Sequence, residues 1–366
     1  MRRRQLLRSL LGTVGALLTS CMPHRRSVAQ HSPTIDELLE KNRHFDAQFG
    51  GGLSNHLSMA LVALARLGAT DARLGQFFAA YSKQLEPRPV ERTPITRETF
   101  TKNLGTHHRY GDYLAFFADE LHRNGRTQLL ATYLPNLVPG ISGAAFHAMI
   151  RLAYGLEIDD DAEVAASLAY LADAYLMLGA PTGDAPIDEP PAELLRRLAA
   201  MPALAHRTWR SGLITNAFED IAKQPSFAGV IDWLPASAAE LAQLAEAALL
   251  VYASSDDFVA LHGLTSTHAL RVAWPHFSAP AVAARFQFQA LCAVYAAIGT
   301  PPLLSPADAS ALARRDVPAW PEIAATAVRS NDEHVIKLVY SAREEAAVYG
   351  HPLYRYVAAK KAGLVS

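Results

Sequence analysis

Four stretches of this chain place histidine where helical periodicity asks for an apolar residue. They are SNHLSMALVALARLG around His56, GAAFHAMIRLAYGLE around His147, DDFVALHGLTSTHALRV around His262 and His268, and NDEHVIKLVYSAREE around His334. Apolar residues recur at spacings of three and four through each stretch, so each reads as the interior of a helix. A buried imidazole without a partner costs about 1–3 kcal/mol. Any one of them is most simply satisfied by a backbone carbonyl or a neighbouring carboxylate. Repeated on separate helices, they ask for a common partner, and one metal ion would serve them all.

The same spacings run through the rest of the chain, and alanine, leucine, arginine and glutamate fill the long segments. This pattern predicts an all-α protein, a multi-helix bundle enclosing a central pocket for metal and substrate. Ser54 or Asn55 is placed to cap the first motif helix, whose stripe Leu57, Leu61, Leu64 ends at Gly68. Further helices are expected near 72–85, 97–124, 143–157 and 163–179. After the linker GAPTGDAPIDEPP they resume near 191–203, 205–223, 237–253, 257–272, 281–298, 318–329, 331–349 and 352–363. Histidine segments lie on both sides of that linker, which favours one functional unit.

The amino terminus carries an export pattern. Arg2, Arg3 and Arg4 precede an apolar stretch from Leu10 to Leu18 that is too short to span a bilayer. Leu18-Thr19-Ser20-Cys21 resembles a bacterial lipobox, in which the cysteine is acylated. The paired arginines before Leu6 and Leu7 resemble a twin-arginine signal, without its usual leading serine and with leucine where phenylalanine is favoured. That route carries folded proteins and suits a cofactor loaded in the cytoplasm. The expected organisation is a leader over 1–21 with Cys21 lipidated, a flexible tether over 22–33 and a single helical domain over 34–366, on the periplasmic side of a bacterial envelope and touching membrane only through the lipid.

The other cysteine, Cys292, sits in the apolar run FQFQALCAVYAAIG and reads as core, so no disulfide framework or zinc-thiolate site is available. A chain of 366 residues, 50% hydrophobic and 19% charged, is long enough for a large core. The net charge of −1 and the lack of a basic stripe beyond the leader disfavour nucleic acid. There is no GxGxxG after a strand, no HExxH and no GxSxG, so nicotinamide binding, zinc protease and serine hydrolase readings lack support. The Gly50-Gly51-Gly52 run before the first motif helix suits an anion or a merely flexible approach to that helix.

Spacing suggests chemistry at several positions. His147 and Arg151 share a helix face, as do His334 and Lys337. A lysine among Val335, Ile336, Leu338 and Val339 is in a setting that favours the neutral amine, which can take up carbon dioxide to form a carbamate, an anionic oxygen ligand for iron or zinc. A lysine that reaches solvent or pairs with Glu333 is the simpler reading of that spacing. Tyr110, Tyr113, Phe116 and Phe117 suit a flat aromatic pocket but read more readily as core. His107 and His108 fall in a turn after Gly105, at the surface or behind the metal ligands.

The segments NHLSMALVALARLGA, FTKNLGTHHRYGDYLAFF, FHAMIRLAYGLE, LHGLTSTHALR and DEHVIKLVYSAREE resemble the questin oxidase-like family, over nearly the whole chain beyond the leader. The resemblance implies an all-helical oxidoreductase that oxidises or opens rings of polycyclic aromatic polyketides such as anthraquinones. One branch is a non-haem iron oxygenase with four histidine ligands and a carboxylated lysine. It carries His56 over from the Asn-His motif, His147 from Phe-His, His262 from Leu-His-Gly and His334 from Glu-His, with Lys337 as the candidate modified lysine. His268, six residues beyond His262 and turned away from it, is the alternate to His262. Arg151, Tyr110 and Tyr154 are candidates to contact substrate or support the ligands.

Histidines with one carboxylate-like oxygen suit Fe(II). The expected activity is therefore an iron-dependent oxygenase acting with dioxygen on a polycyclic aromatic or quinone-like substrate, without nicotinamide. A zinc-dependent hydrolase on the same ligands and a lipid-anchored helical binding protein without catalysis are the alternatives.

Overall fold

Glycine and capping residues punctuate the chain into helices wherever the apolar stripe pauses. The computed structural model describes residues 33–366 except 91, 184–185 and 236–240, so the leader, Cys21 and nearly all of the tether lie outside the described residues. The described residues form α1 (Pro33–Asn42), a hairpin of β1 (Gln48–Phe49) and β2 (Leu53–Ser54), α2 (Leu57–Leu67), α3 (Asp71–Tyr81) and α4 (Tyr110–Leu137). Next come α5 (His147–Glu157), α6 (Asp161–Asp173), α7 (Pro191–Ala199), α8 (Ile214–Ala222), α9 (Leu241–Ser255) and α10 (Phe258–Ala273). The series ends with α11 (Pro280–Ala297), α12 (Pro306–Ala313), α13 (Trp320–Arg329), α14 (Glu333–Tyr349) and α15 (Leu353–Lys361). The fold is all-α, and the one small sheet among the described residues pairs Gln48 with Ser54 and Phe49 with Leu53.

Sequence chemistry explains the layering. In α5, α10 and α11 most residues are buried, as expected of helices surrounded by others. Around them, α7, α8 and α13 bury one face each. At the centre, α10 packs on α5, α9, α11 and α14, while α2 packs on α5 and α14. Each fully buried leucine or phenylalanine here is worth about 1.5–3 kcal/mol of transfer free energy. Asp160, Asp257, Ser305 and Asp332 cap α6, α10, α12 and α14 by accepting N–H groups of the first turn. Gly68 ends α2 in the left-handed conformation, φ 96°, as its position after the stripe predicts.

Several expected boundaries shift. The helix expected over 97–124 starts only at Tyr110, because His107 and His108 adopt left-handed backbone, φ 55° and 58°. It then continues to Leu137 past an interruption at Gly125. The helix expected over 205–223 starts at Ile214, after left-handed His206 and Gly212. Two helices, α1 and α12, lie outside the expected set; both are short, at 10 and 8 residues. The 179–191 linker does not part the molecule, since α5 before it packs on α10 after it, and the Thr182 N–H and hydroxyl both bond Asp232 Oδ2 at 2.7 Å.

Candidate metal centre

The N-terminal ends of α2, α5, α10 and α14 meet, and each brings a histidine. His56 stands at the position just before α2, His147 opens α5, His262 is fifth in α10 and His334 second in α14. His56, His147 and His334 are therefore at helix starts rather than in the interiors that periodicity suggested, while His262 lies one turn into α10. An apolar repeat reveals a helix but not its first turn, where N–H groups still need partners and side chains face what the helix points at.

Local structure holds each ring. Asn55 Oδ1 accepts the Leu57 N–H at 2.9 Å and Asn55 Nδ2 donates to Asn42 Oδ1 and the Asp46 carbonyl, so the residue before His56 does the capping and the imidazole is left for other use. Ahead of His147, Ala144, Ala145 and Phe146 all have left-handed backbone, φ 48°, 50° and 69°. Such a conformation costs an L residue roughly 1–2 kcal/mol. The turn closes because Gly143 lacks a Cβ, which would lie 1.9 Å from the Ala174 carbonyl oxygen. It brings the Ala144 carbonyl to 2.6 Å from His147 Nδ1. Strain of this kind collects at functional sites.

The hydrogen bonds decide which nitrogen faces inward. His147 Nδ1 meets the Ala144 carbonyl, His262 Nδ1 the Phe258 carbonyl at 2.8 Å, and His334 Nδ1 the Asp332 and Glu333 carboxylates, each at 3.4 Å. These oxygens only accept, so Nδ1 carries the proton in each ring and Nε2 keeps its lone pair. All three Nε2 atoms are buried without a hydrogen-bond partner among the described residues. The ring centroids of His56 lie 4.4 Å from His147 and 4.7 Å from His334, and His262 is 4.8 Å from His147 and 5.5 Å from His334. Ligating atoms of His56, His147 and His334 fall within 4.8 Å of one another.

Burial pushes the protonation of His56, His147 and His262 well below the usual 6.5, and the neighbouring imidazoles and Lys337 push the same way. His334 is lowered as well, burial outweighing its carboxylate neighbours. Lys337 is fully buried, with Nζ 2.7 Å from His56 Nδ1, and burial lowers it to about 7. The amine thus neither reaches solvent nor needs Glu333 as its contact. Neutral imidazoles with inward lone pairs, beside a buried amine, form a donor set compatible with a metal ion.

The cluster opens into a cavity of about 760 Å³, lined also by Tyr81, Tyr110, Leu213 and Phe258. Tyr110 Oη accepts from Arg151 Nη1 at 3.3 Å, and Arg151 forks onto Glu163 at 2.9 and 3.1 Å. Tyr110 is therefore a cavity residue with a guanidinium behind it. Asp46 also lines the cavity, and burial raises its carboxyl to about 6.

The profile of the questin oxidase-like family matches residues 53–342, a span that includes all four clustered histidines and Lys337. The chain belongs to the questin oxidase-like family. A questin oxidase from Aspergillus terreus is 27% identical to it over 130 residues, which cover 32% of this chain and 29% of that protein. The chain thus spans under a third of its curated relative in that match. Family membership points to oxidoreductase activity.

Other residues singled out in this questin oxidase-like chain lie elsewhere. His268, the alternate to His262, is buried in a separate cluster, with Nδ1 2.7 Å from Glu345 Oε1 and its ring against Tyr340 and Tyr154. Six residues along α10 turn it away from its neighbour, and two carboxylates provide partners of its own. Tyr154 does not reach the cavity either, because seven residues separate it from His147 along α5 and its ring packs on Tyr340, 5.6 Å away. Tyr113, Phe116 and Phe117 are core, joined to Phe100 and Tyr133. His107 and His108 are exposed and line the cavity rim. Gly51 and Gly52 also line it, in the turn between β1 and β2, and the Gly50 N–H donates to Glu86 Oε1 at 2.9 Å. Sequence reasoning passed over Tyr81, whose Oη accepts the His56 N–H at 3.2 Å, because nothing in FFAAYSK separates it from a core tyrosine. Asp332 had a readable signal, a capping residue two positions before His334.

Proposed function

We propose that this protein is a non-haem iron oxygenase that acts with dioxygen on a polycyclic aromatic or quinone-like substrate. The observation that carries the reading is the set of three buried Nε2 atoms, on His147, His262 and His334, whose lone pairs have no other partner. With His56 they would hold Fe(II), which when bound supplies one-electron activation of dioxygen. Lys337 would add an oxygen ligand as a carbamate. Its neutral nitrogen bonds the carbon of carbon dioxide, one C–O π pair moves onto oxygen, and the released proton passes to solvent. The pair Asp332 and Glu333 keeps the Nδ1 proton on His334 and so aims its other nitrogen inward.

The cavity suits a flat substrate in size and lining. Phe258 and Leu213 provide apolar walls that keep water from the reacting face. Tyr110, with its oxygen engaged by Arg151, has its O–H free to donate to a substrate carbonyl or quinone oxygen. The leader pattern supports export and attachment through Cys21, and among the described residues no helix is long and apolar enough to cross a membrane.

Elemental analysis of protein purified anaerobically tests the reading. The expected result is about one iron per chain and ferrous-dependent oxygen uptake with an anthraquinone. Zinc in its place, without oxygen uptake, would favour the hydrolase. A metal-free protein would leave the binding role. Incorporation of labelled palmitate, lost in Cys21→Ser, tests the anchor.

A further inference from the structure

Beneath the histidine cluster lies a second group of buried charges that does not touch the cavity. His268 is 0% exposed, and the side chains of Glu157 and Glu345 are 7% and 2% exposed. His268 Nδ1 is 2.7 Å from Glu345 Oε1, and its Nε2 faces Glu157 Oε1 at 3.8 Å. Tyr340 donates to Glu157 Oε2 at 2.9 Å, and Arg271 Nε to Glu345 Oε1 at 2.7 Å. None of these residues lines the cavity, so none can meet a substrate there.

The three members of this triad come from the helices that carry three of the clustered histidines. Glu157 lies ten residues beyond His147 on α5, His268 six beyond His262 on α10, and Glu345 eleven beyond His334 on α14. At about 1.5 Å per residue these are offsets of roughly 15, 9 and 16 Å along the three axes. A buried ion cluster is poor evidence for stability, because well-packed apolar residues of the same volume often do as well or better. Its attested use is to specify register, since a charge displaced by one turn loses its partner at full desolvation cost.

We propose that Glu157, His268 and Glu345 form a positioning device that sets the axial register of α5 and α14 against α10, and so holds the imidazoles of His147, His262 and His334 at ligand spacing. This rests on the metal reading of the upper cluster. The electrostatics agree with it. Burial alone would strip the proton from His268, but the facing carboxylates of Glu157 and Glu345 prevail and raise it to about 9. With His268 protonated, two carboxylates balance one imidazolium and the Arg271 guanidinium, and the buried charge sums to zero. Apolar packing between the same helices is non-directional and slides at little cost, whereas a two-sided imidazolium accepts one alignment.

Co(II) uptake by the full chain, followed by its visible d–d absorption, tests the proposal. The wild-type protein is expected to bind one Co(II). His268→Gln and Glu157→Gln are expected to bind it at least about tenfold more weakly, with a shifted band, while remaining helical by circular dichroism. Leu194→Ala, a core truncation on α7 away from both clusters, is the control for general destabilisation and should leave affinity and band unaltered. If His268→Gln does not fold, Glu157→Gln decides alone. Folded triad variants with the wild-type affinity and spectrum would overturn the positioning role and spare the metal reading. A wild-type chain that takes up no Co(II) would overturn both.

Discussion

His262 and His268 lie on the same helix, both buried, and the structure puts them to opposite uses. His262 has a backbone carbonyl at Nδ1 and nothing at Nε2, and burial drives it neutral. His268 has a carboxylate facing each nitrogen and keeps its proton to about 9. Burial disfavours the charged ring in both cases, so the neighbours decide between a neutral donor and a cation. A histidine facing one acceptor presents a lone pair on its other side, and one facing two acceptors presents none.

The largest expected effect comes from breaking the upper cluster. His147→Ala removes one of the inward lone pairs, and iron content and oxygen uptake should both fall by about two orders of magnitude or more, read by metal analysis and an oxygen electrode. Full retention of iron would mean that the unpartnered nitrogens are not ligands. Lys337→Ala removes the candidate oxygen donor while leaving the imidazoles, and iron affinity is expected to drop roughly 10- to 100-fold, measured by competition with a chromogenic chelator.

The lower cluster is sharpened by pH. The folded chain binds the His268 proton more tightly than the unfolded chain, where the usual value of 6.5 applies. The stability it contributes is therefore complete below about 6.5 and lost as pH rises through about 9. Metal-free wild-type protein should lose on the order of 2–3 kcal/mol between those limits in urea unfolding, and His268→Leu should lose distinctly less. Equal pH slopes would show that His268 is not held as an imidazolium. The smallest effect concerns the turn ahead of His147. Ala144→Gly relieves left-handed strain and is expected to raise stability by up to about 1 kcal/mol, seen as a small increase in Tm.

Much of the fold was legible because helical periodicity is local. Stripes such as that of α2, closed by Gly68, reveal themselves within a dozen residues. What was missed follows from the same locality. The late start of α4 depends on left-handed His107 and His108, whose side chains carry no strong signal for that backbone. Tyr81 and Tyr113 look alike in sequence, yet one receives the His56 N–H at the cavity and the other donates to the Phe100 carbonyl in the core.

From the sequence alone came the all-helical class, the family resemblance and the short set of histidines and lysine worth watching, because residue type and spacing are written along the chain. Only the tertiary structure decided that His56, His147, His262 and His334 meet while His268 does not, that they do so near helix N-termini, and that Lys337 is buried against His56. Those are relations between segments as far as 281 residues apart. Which nitrogen is protonated, and which charge survives burial, depends on what each side chain faces once the helices have packed.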